Sequence, residues 1–131
     1  MKFNKITAAL LLIIALVFST GCSSGSDSDG EVKNALDSLP KNVQESFVDY
    51  ESNNWEGKSD KTPGTKDNSE FQNRDGDLPE EDSEGREIRY REHDVNNKEQ
   101  HQGRDAERFV SGSDGSVYYT GDHYETFIKL K

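Results

Sequence analysis

"ERFVSGSDGSVYYTGD", residues 107–122, decides the fold. Two runs rich in aromatic and β-branched residues, "ERFVS" and "SVYYT", flank "GSDG", a string suited to a tight turn. That pattern predicts a β-hairpin. Upstream, "REIRYREHDV" (86–95) alternates and puts Ile88, Tyr90 and Glu92 on one face of a strand. Downstream, Gly121–Asp122 leads into "HYETFIKL" (123–130), read as a last strand with His123 at its start. "FQNRDGDLP" (71–79) reads as a loop with a tight turn at Asp75–Gly76.

Further towards the N-terminus the period changes to that of helices. In "EVKNALDSLP" (31–40), Val32, Ala35, Leu36 and Leu39 share one helical face. Ser28 and Glu31 have capping-box spacing, and Pro40 stops the run. "NVQESFVDY" (42–50) predicts a shorter second helix, capped by Asn42, with Val43, Phe47 and Tyr50 facing inward. Residues 51–70 are polar and rich in turn formers, with Trp55 expected to pin a turn or short helix. The expectation is an α+β fold: one or two N-terminal helices packed on an antiparallel β-sheet of about four to five strands.

The first 21 residues stand apart. Lys2 and Lys5 precede the apolar run "ITAALLLIIALVF", which predicts a signal peptide over 1–21. Cys22 is the only cysteine, so no disulfide framework is available. Its setting, "STGC" before "SSGSDSDG", resembles the lipobox of bacterial lipoproteins, with Ser19 where leucine is usual. Two routes stay open: lipidation of Cys22 with anchoring to the membrane through that lipid, or plain cleavage near Gly21 and release. Either gives an extracellular or cell-surface protein. Residues 22–30 read as a polar tether and 31–131 as one domain, long enough for a single small core.

The chain carries 26 acidic against 16 basic side chains, a formal charge of −10. Loss of Lys2 and Lys5 with the signal peptide takes this to −12. Long-range electrostatics therefore oppose polyanions. Against that background, "RYREHDVNNKEQHQGRDAERF" (89–109) gathers four of the six arginines and two of the three histidines around Glu92. Such a set suits cleavage of a phosphodiester that has a neighbouring hydroxyl. One carboxylate removes the hydroxyl proton, one imidazole protonates the leaving oxygen, and guanidiniums hold the phosphorane, with neither metal nor cofactor required.

"FQNRDGDLP", "YREHDVN", "GRDAERFV" and "GSDGSVYYTGDHYETF" occur in the order and approximate spacing of the bacterial guanyl-specific ribonucleases, the barnase-like enzymes. The chain resembles that family densely over 71–128 and weakly over 41–70. The resemblance implies Glu92 as general base, His123 as general acid, and Arg104 and Arg108 as phosphate ligands. It implies guanine recognition by Phe71, Gln72, Asn73, Arg74 and Asp75, with Tyr124 stacking on the base. The family often has glutamate where Asp75 stands. The implied substrate is single-stranded RNA with guanosine 5′ to the cleaved bond, and the implied protein partner is a barstar-like inhibitor of a monomeric enzyme. The other two histidines, His93 and His101, are expected to be bystanders: His93 points away from Glu92 and His101 sits in a polar loop. "NVQESFVDYES" lacks the lysine that the family carries early in its second helix, and Lys66 is a candidate substitute. The competing reading is a catalytically weak or inactive RNA- or protein-binding lipoprotein that keeps the fold.

Overall fold

The computed structural model describes residues 35–131. The expected signal peptide, Cys22, the expected tether and the expected Ser28–Glu31 capping box lie outside these residues. Residues 35–37 form a helical turn, and Ala35, Leu36 and Leu39 pack against the core. Helix α1 (Lys41–Ser52) follows. Then come strands β1 (Ser69–Phe71), β2 (Tyr90–Asp94), β3 (Arg108–Gly112), β4 (Val117–Thr120) and β5 (Ile128–Lys129). They form one sheet in sequence order, every neighbour antiparallel. The expected α+β class is found.

Side chains alternate across this sheet, and the register decides which meet. Glu92 pairs with Val110 and Asp94 with Arg108, so these four share a face with Tyr90 and Tyr118. His93, Phe109 and Tyr119 lie on the opposite face. Helix α1 packs there. Val43, Phe47 and Tyr50, at helical spacing, bury against Val95, Phe109, Val117, Tyr119 and Leu130. Burying each such side chain contributes about 1.5–3 kcal/mol. Two polar bonds fix the helix to the end of β2: the Tyr50 hydroxyl donates to the Asp94 carbonyl (2.7 Å) and the Ser46 hydroxyl to the Val95 carbonyl (2.7 Å). A second cluster of Leu78, Ile88, Tyr90, Val110 and Tyr118 lies on the other face and supports Phe71, Tyr124 and Phe127.

Several local expectations need correction. Asn42 is not the cap of α1. The N-cap is Pro40, whose carbonyl accepts from Val43 and Gln44, and no side chain caps the helix. The cap thus lies two residues before Asn42, and the helix begins at Lys41. Asn42 instead reaches Asn96 and Glu107. Phe71 is the last residue of a short strand rather than the start of a loop; three residues between polar turns give too little alternation to read. The last strand is only Ile128–Lys129, because Asp122 draws the chain before it into a bonded loop. Trp55 does pin a turn: it has φ 60° and stacks nearly parallel on Tyr50 at 5.2 Å, and its indole N–H donates to Glu51. The hairpin closes at Gly115, whose φ of +88° favours glycine.

Candidate active site

Three charged side chains cluster where β2 ends and β3 begins. Asp94, 2% exposed, accepts two bonds from Arg104: Nε to Oδ2 at 2.8 Å and Nη2 to Oδ1 at 2.5 Å. Arg108 sits directly across the ladder. Its Nε lies 3.1 Å from Asp94 Oδ1, close enough for charge attraction, but the N–H is not aligned to bond any described group. Its Nη1 donates to the Glu107 carbonyl at 2.7 Å, with a longer contact to Asp105 at 3.4 Å. Burial works against the charge on Asp94. The Arg104 bonds, the Lys66 amide and the charge of Arg108 outweigh it and hold the carboxyl below its usual range. The same bonds raise Arg104, with smaller contributions from Tyr124 and Glu92, so Arg104 lies within electrostatic reach of Glu92.

A cleft of about 400 Å³ opens at Glu92, and Asp94, Arg104, Arg108 and His123 are not among the residues that line it. Phe71, Gln72, Asn73, Arg74, Asp75 and Asp77 form one wall, and Glu92 and Tyr124 the other. Glu92 is half-buried in the middle of β2, and the Tyr124 hydroxyl donates to its Oε2 at 2.6 Å. Burial first, then that bond, pushes the Tyr124 phenol far above its usual range, so it stays a donor. Tyr124 also lies against Phe71, ring centroids 5.2 Å apart. Asn73 shapes the wall. It holds φ 50°, accepts from the Leu78 N–H (3.1 Å) and donates to the Leu78 carbonyl (2.8 Å). The Gly76 N–H closes the turn onto the Asn73 carbonyl at 3.0 Å. Arg74 Nε donates to the Gln72 side chain at 2.7 Å. Asp75 is exposed at the turn's tip. A larger recess of about 680 Å³ lies beyond Phe71–Asn73 among Glu80, Glu81 and Glu87, but neither Glu92 nor Tyr124 lines it.

His123 and Tyr124 belong to a loop built around Asp122. That carboxylate accepts from the Thr120 hydroxyl (2.9 Å), the Thr126 amide (2.9 Å) and the Thr126 hydroxyl (2.6 Å). These bonds, the Thr126 hydroxyl foremost, lower its carboxyl to about 2. Both residues that follow take left-handed backbone, φ 56° at His123 and 73° at Tyr124. The strain is held by Asp122, by the Tyr124 amide on Thr120 Oγ1, and by the His123 amide on the Ala106 carbonyl. The last bond ties the loop to the segment between the two arginines. The exposed His123 ring rests on Tyr124 at 4.9 Å, at the edge of the cleft.

Residues 22–131 match the sequence profile of the ribonuclease family. The chain belongs to that family. Among solved structures, this ribonuclease is similar to ribonuclease Sa2 with guanosine-2′-cyclophosphate. The two share 26% identity at a TM-score of 0.52, over 73% of this chain and 90% of that one. No curated protein matches the chain.

The fold of the ribonuclease thus gathers Glu92, Tyr124 and the 71–75 loop around one cleft, sets Arg104 and Arg108 on the same sheet face as Glu92's strand, and leaves His123 at the rim. His101 is an exposed loop residue away from these groups. Sequence reading missed Asp94, because a strand aspartate among arginines shows no sign of which one it will face. The register brings both arginines to Asp94, and Arg108 also keeps its longer contact with Asp105. Asp122 was read only as the lead into the last strand. The reading of the helix as lacking a lysine also changes: Lys41 is its first residue, but its ammonium lies 3.5 Å from Glu45 and it does not line the cleft.

Proposed function

We propose that this ribonuclease is an exported endoribonuclease that cleaves single-stranded RNA after guanosine. Glu92 takes the proton of the ribose 2′-hydroxyl as that oxygen attacks phosphorus. His123 gives a proton to the departing 5′-oxygen, and a 2′,3′-cyclic phosphate results. Water then opens the ring to the 3′-phosphate with the two roles reversed. Arg104 and Arg108, aligned by Asp94, face the charge that grows on the phosphorane oxygens. Amides of Phe71–Arg74 take the guanine oxygen, Asp75 its ring N–H and amino group, and the Tyr124 ring one face of the base. The reaction needs only these groups.

The observation that carries this reading is the shared cleft: a half-buried carboxylate, hydrogen-bonded by a tyrosine, faces the loop to which the base specificity is assigned. In the free protein Tyr124 occupies one oxygen of Glu92, which leaves Oε1 for the hydroxyl proton. Incubating residues 22–131 with a guanosine-containing dinucleotide tests the reading. The cyclic phosphate should appear, and should appear faster with guanosine than with the other nucleosides at the 5′ position. Binding without a cyclic product would instead support an inactive RNA-binding relative. Export rests on the signal-like 1–21, and intact-mass analysis of the exported form distinguishes a lipid on Cys22 from a free N-terminus.

A further inference from the structure

His93 takes no part in the chemistry above, yet it is fully buried between β2 and everything packed on it. Both ring nitrogens are used. Nδ1 lies 3.0 Å from the Asn68 amide nitrogen, which can only donate, so Nδ1 carries no proton. Nε2 therefore holds the proton and donates to Ser111 Oγ at 2.8 Å, on β3. The ring is walled by Tyr50 of α1 (5.1 Å) and Trp55 (5.4 Å).

The Asn68 amide is the end of a short relay. Two residues earlier, the Lys66 amide donates to Asp94 Oδ2 at 2.9 Å, and the Asp94 amide donates back to the Lys66 carbonyl at 2.7 Å. Asn68 itself turns with φ 52° before β1 begins at Ser69, the partner of Glu92. The segment 66–68 is thus held to β2 at two points, His93 and Asp94. One point is a ring that can gain a charge; the other is the carboxylate that holds both arginines.

We propose that His93 is a positioning residue for the ribonuclease reaction: as the neutral Nε2–H tautomer it pins segment 66–68 to β2, and through Lys66 it keeps Asp94 aligned on Arg104 and Arg108. A proton added at Nδ1 would meet the Asn68 N–H head-on, and the segment must move off. Charged groups on every side bear on that step. Asp67 in the segment and Asp94 on β2 favour the charged ring, while Arg91 on β2 opposes it. Tyr50, Trp55 and Ser111 offer no charge, and burial opposes protonation most, lowering the ring to about 4. Acid therefore disables the clamp in a molecule whose Glu92 and His123 are still in place.

This inference rests on the proposed cleavage, and the test separates the two. The pH dependence of kcat and KM is measured on a guanosine dinucleotide for the wild type and for His93→Gln, which can accept from Asn68 and donate to Ser111 but does not titrate. One pH unit below the His93 midpoint, wild-type kcat should fall about tenfold further than that of the variant, with KM alike in both. Ser111→Ala, which frees the ring to place its proton on Nδ1, should lower kcat several-fold at neutral pH in a protein of unchanged near-ultraviolet circular dichroism. It serves if the glutamine variant fails to fold. Independently of activity, the Lys66 and Asn68 amide protons should titrate together with the His93 ring in NMR spectra. Parallel acid limbs for wild type and glutamine variant, or Lys66 and Asn68 amides indifferent to the ring's protonation, would overturn the inference. A wild type without turnover but with coupled amides would sink only the proposed cleavage.

Discussion

Asp94 is the residue through which the site is assembled. It touches Arg104, Arg108 and the Lys66 amide at once, and it is almost wholly buried. Asp94→Asn keeps the shape and removes the charge, which takes from two guanidiniums the counter-ion they share and leaves buried Arg108 only its longer contact with Asp105. That loss is expected to cost about 3–5 kcal/mol of stability, read as a lower midpoint in urea, and to lower kcat even where the protein stays folded. Glu92→Gln and His123→Ala remove the proposed base and acid, and each should lower kcat about 10²–10⁴-fold with stability little changed. Near-normal turnover in His123→Ala would defeat its assignment. The residue types of these groups are legible in sequence because proton transfer and phosphate binding admit few side chains. Which carboxylate meets which arginine is not, since Asp94, Asp105 and Glu107 are equally plausible from the string alone.

At the scale of elements, the loop after β4 is the most specialised piece. Asp122 gathers the Thr120 and Thr126 hydroxyls, and two consecutive left-handed residues present His123 and Tyr124. Asp122→Ala should release that strain and let both rings wander. The expected result is a kcat lowered about tenfold or more with a small change in unfolding midpoint, since misplacing a reacting group costs rate far more than stability. The string "HYETFIKL" alternates well enough to suggest a strand over its whole length, and only its end is one. Alternation measures what a segment could do in a sheet; three side-chain bonds to Asp122 decide otherwise here. The hairpin of β3 and β4 was legible because its turn and both strands are local. Strand β1 was not, because its pairing partner is some twenty residues away in sequence.

For the molecule as a whole, two solution properties follow. His93 has a folded pKa of about 4 against an ordinary 6.5. Between those values the unfolded chain binds a proton that the native ring refuses, so acidification favours unfolding. The contribution is complete above about 6.5, is lost as pH falls towards 4, and amounts to about 3 kcal/mol. Urea midpoints measured across that window should slope accordingly in the wild type and lie flatter in His93→Gln. The second property is charge. With 26 acidic and 16 basic side chains, the molecule repels RNA at long range, while in the proposed reaction its arginines hold one phosphate at short range. Salt screens the first before the second, over a length of about 10 Å at 0.1 M. Cleavage should therefore rise with added salt and then fall, and a steady decline from the lowest salt would contradict this account.

Local pattern was enough to determine the class of fold, the antiparallel hairpin and the inward face of the helix, because helical and strand periodicities and turn chemistry act between near neighbours, whereas the proposed site residues came from the family resemblance. His93 was correctly turned away from Glu92 by strand alternation alone. Its burial among Tyr50 and Trp55, its tautomer and its hold on segment 66–68 came only with the tertiary structure. So did the ion pairs of Asp94 and the contact of Tyr124 with Glu92, 32 residues apart. Register between distant strands sets those contacts, and register is fixed by the packing of the whole sheet against its helix rather than by any one stretch of chain.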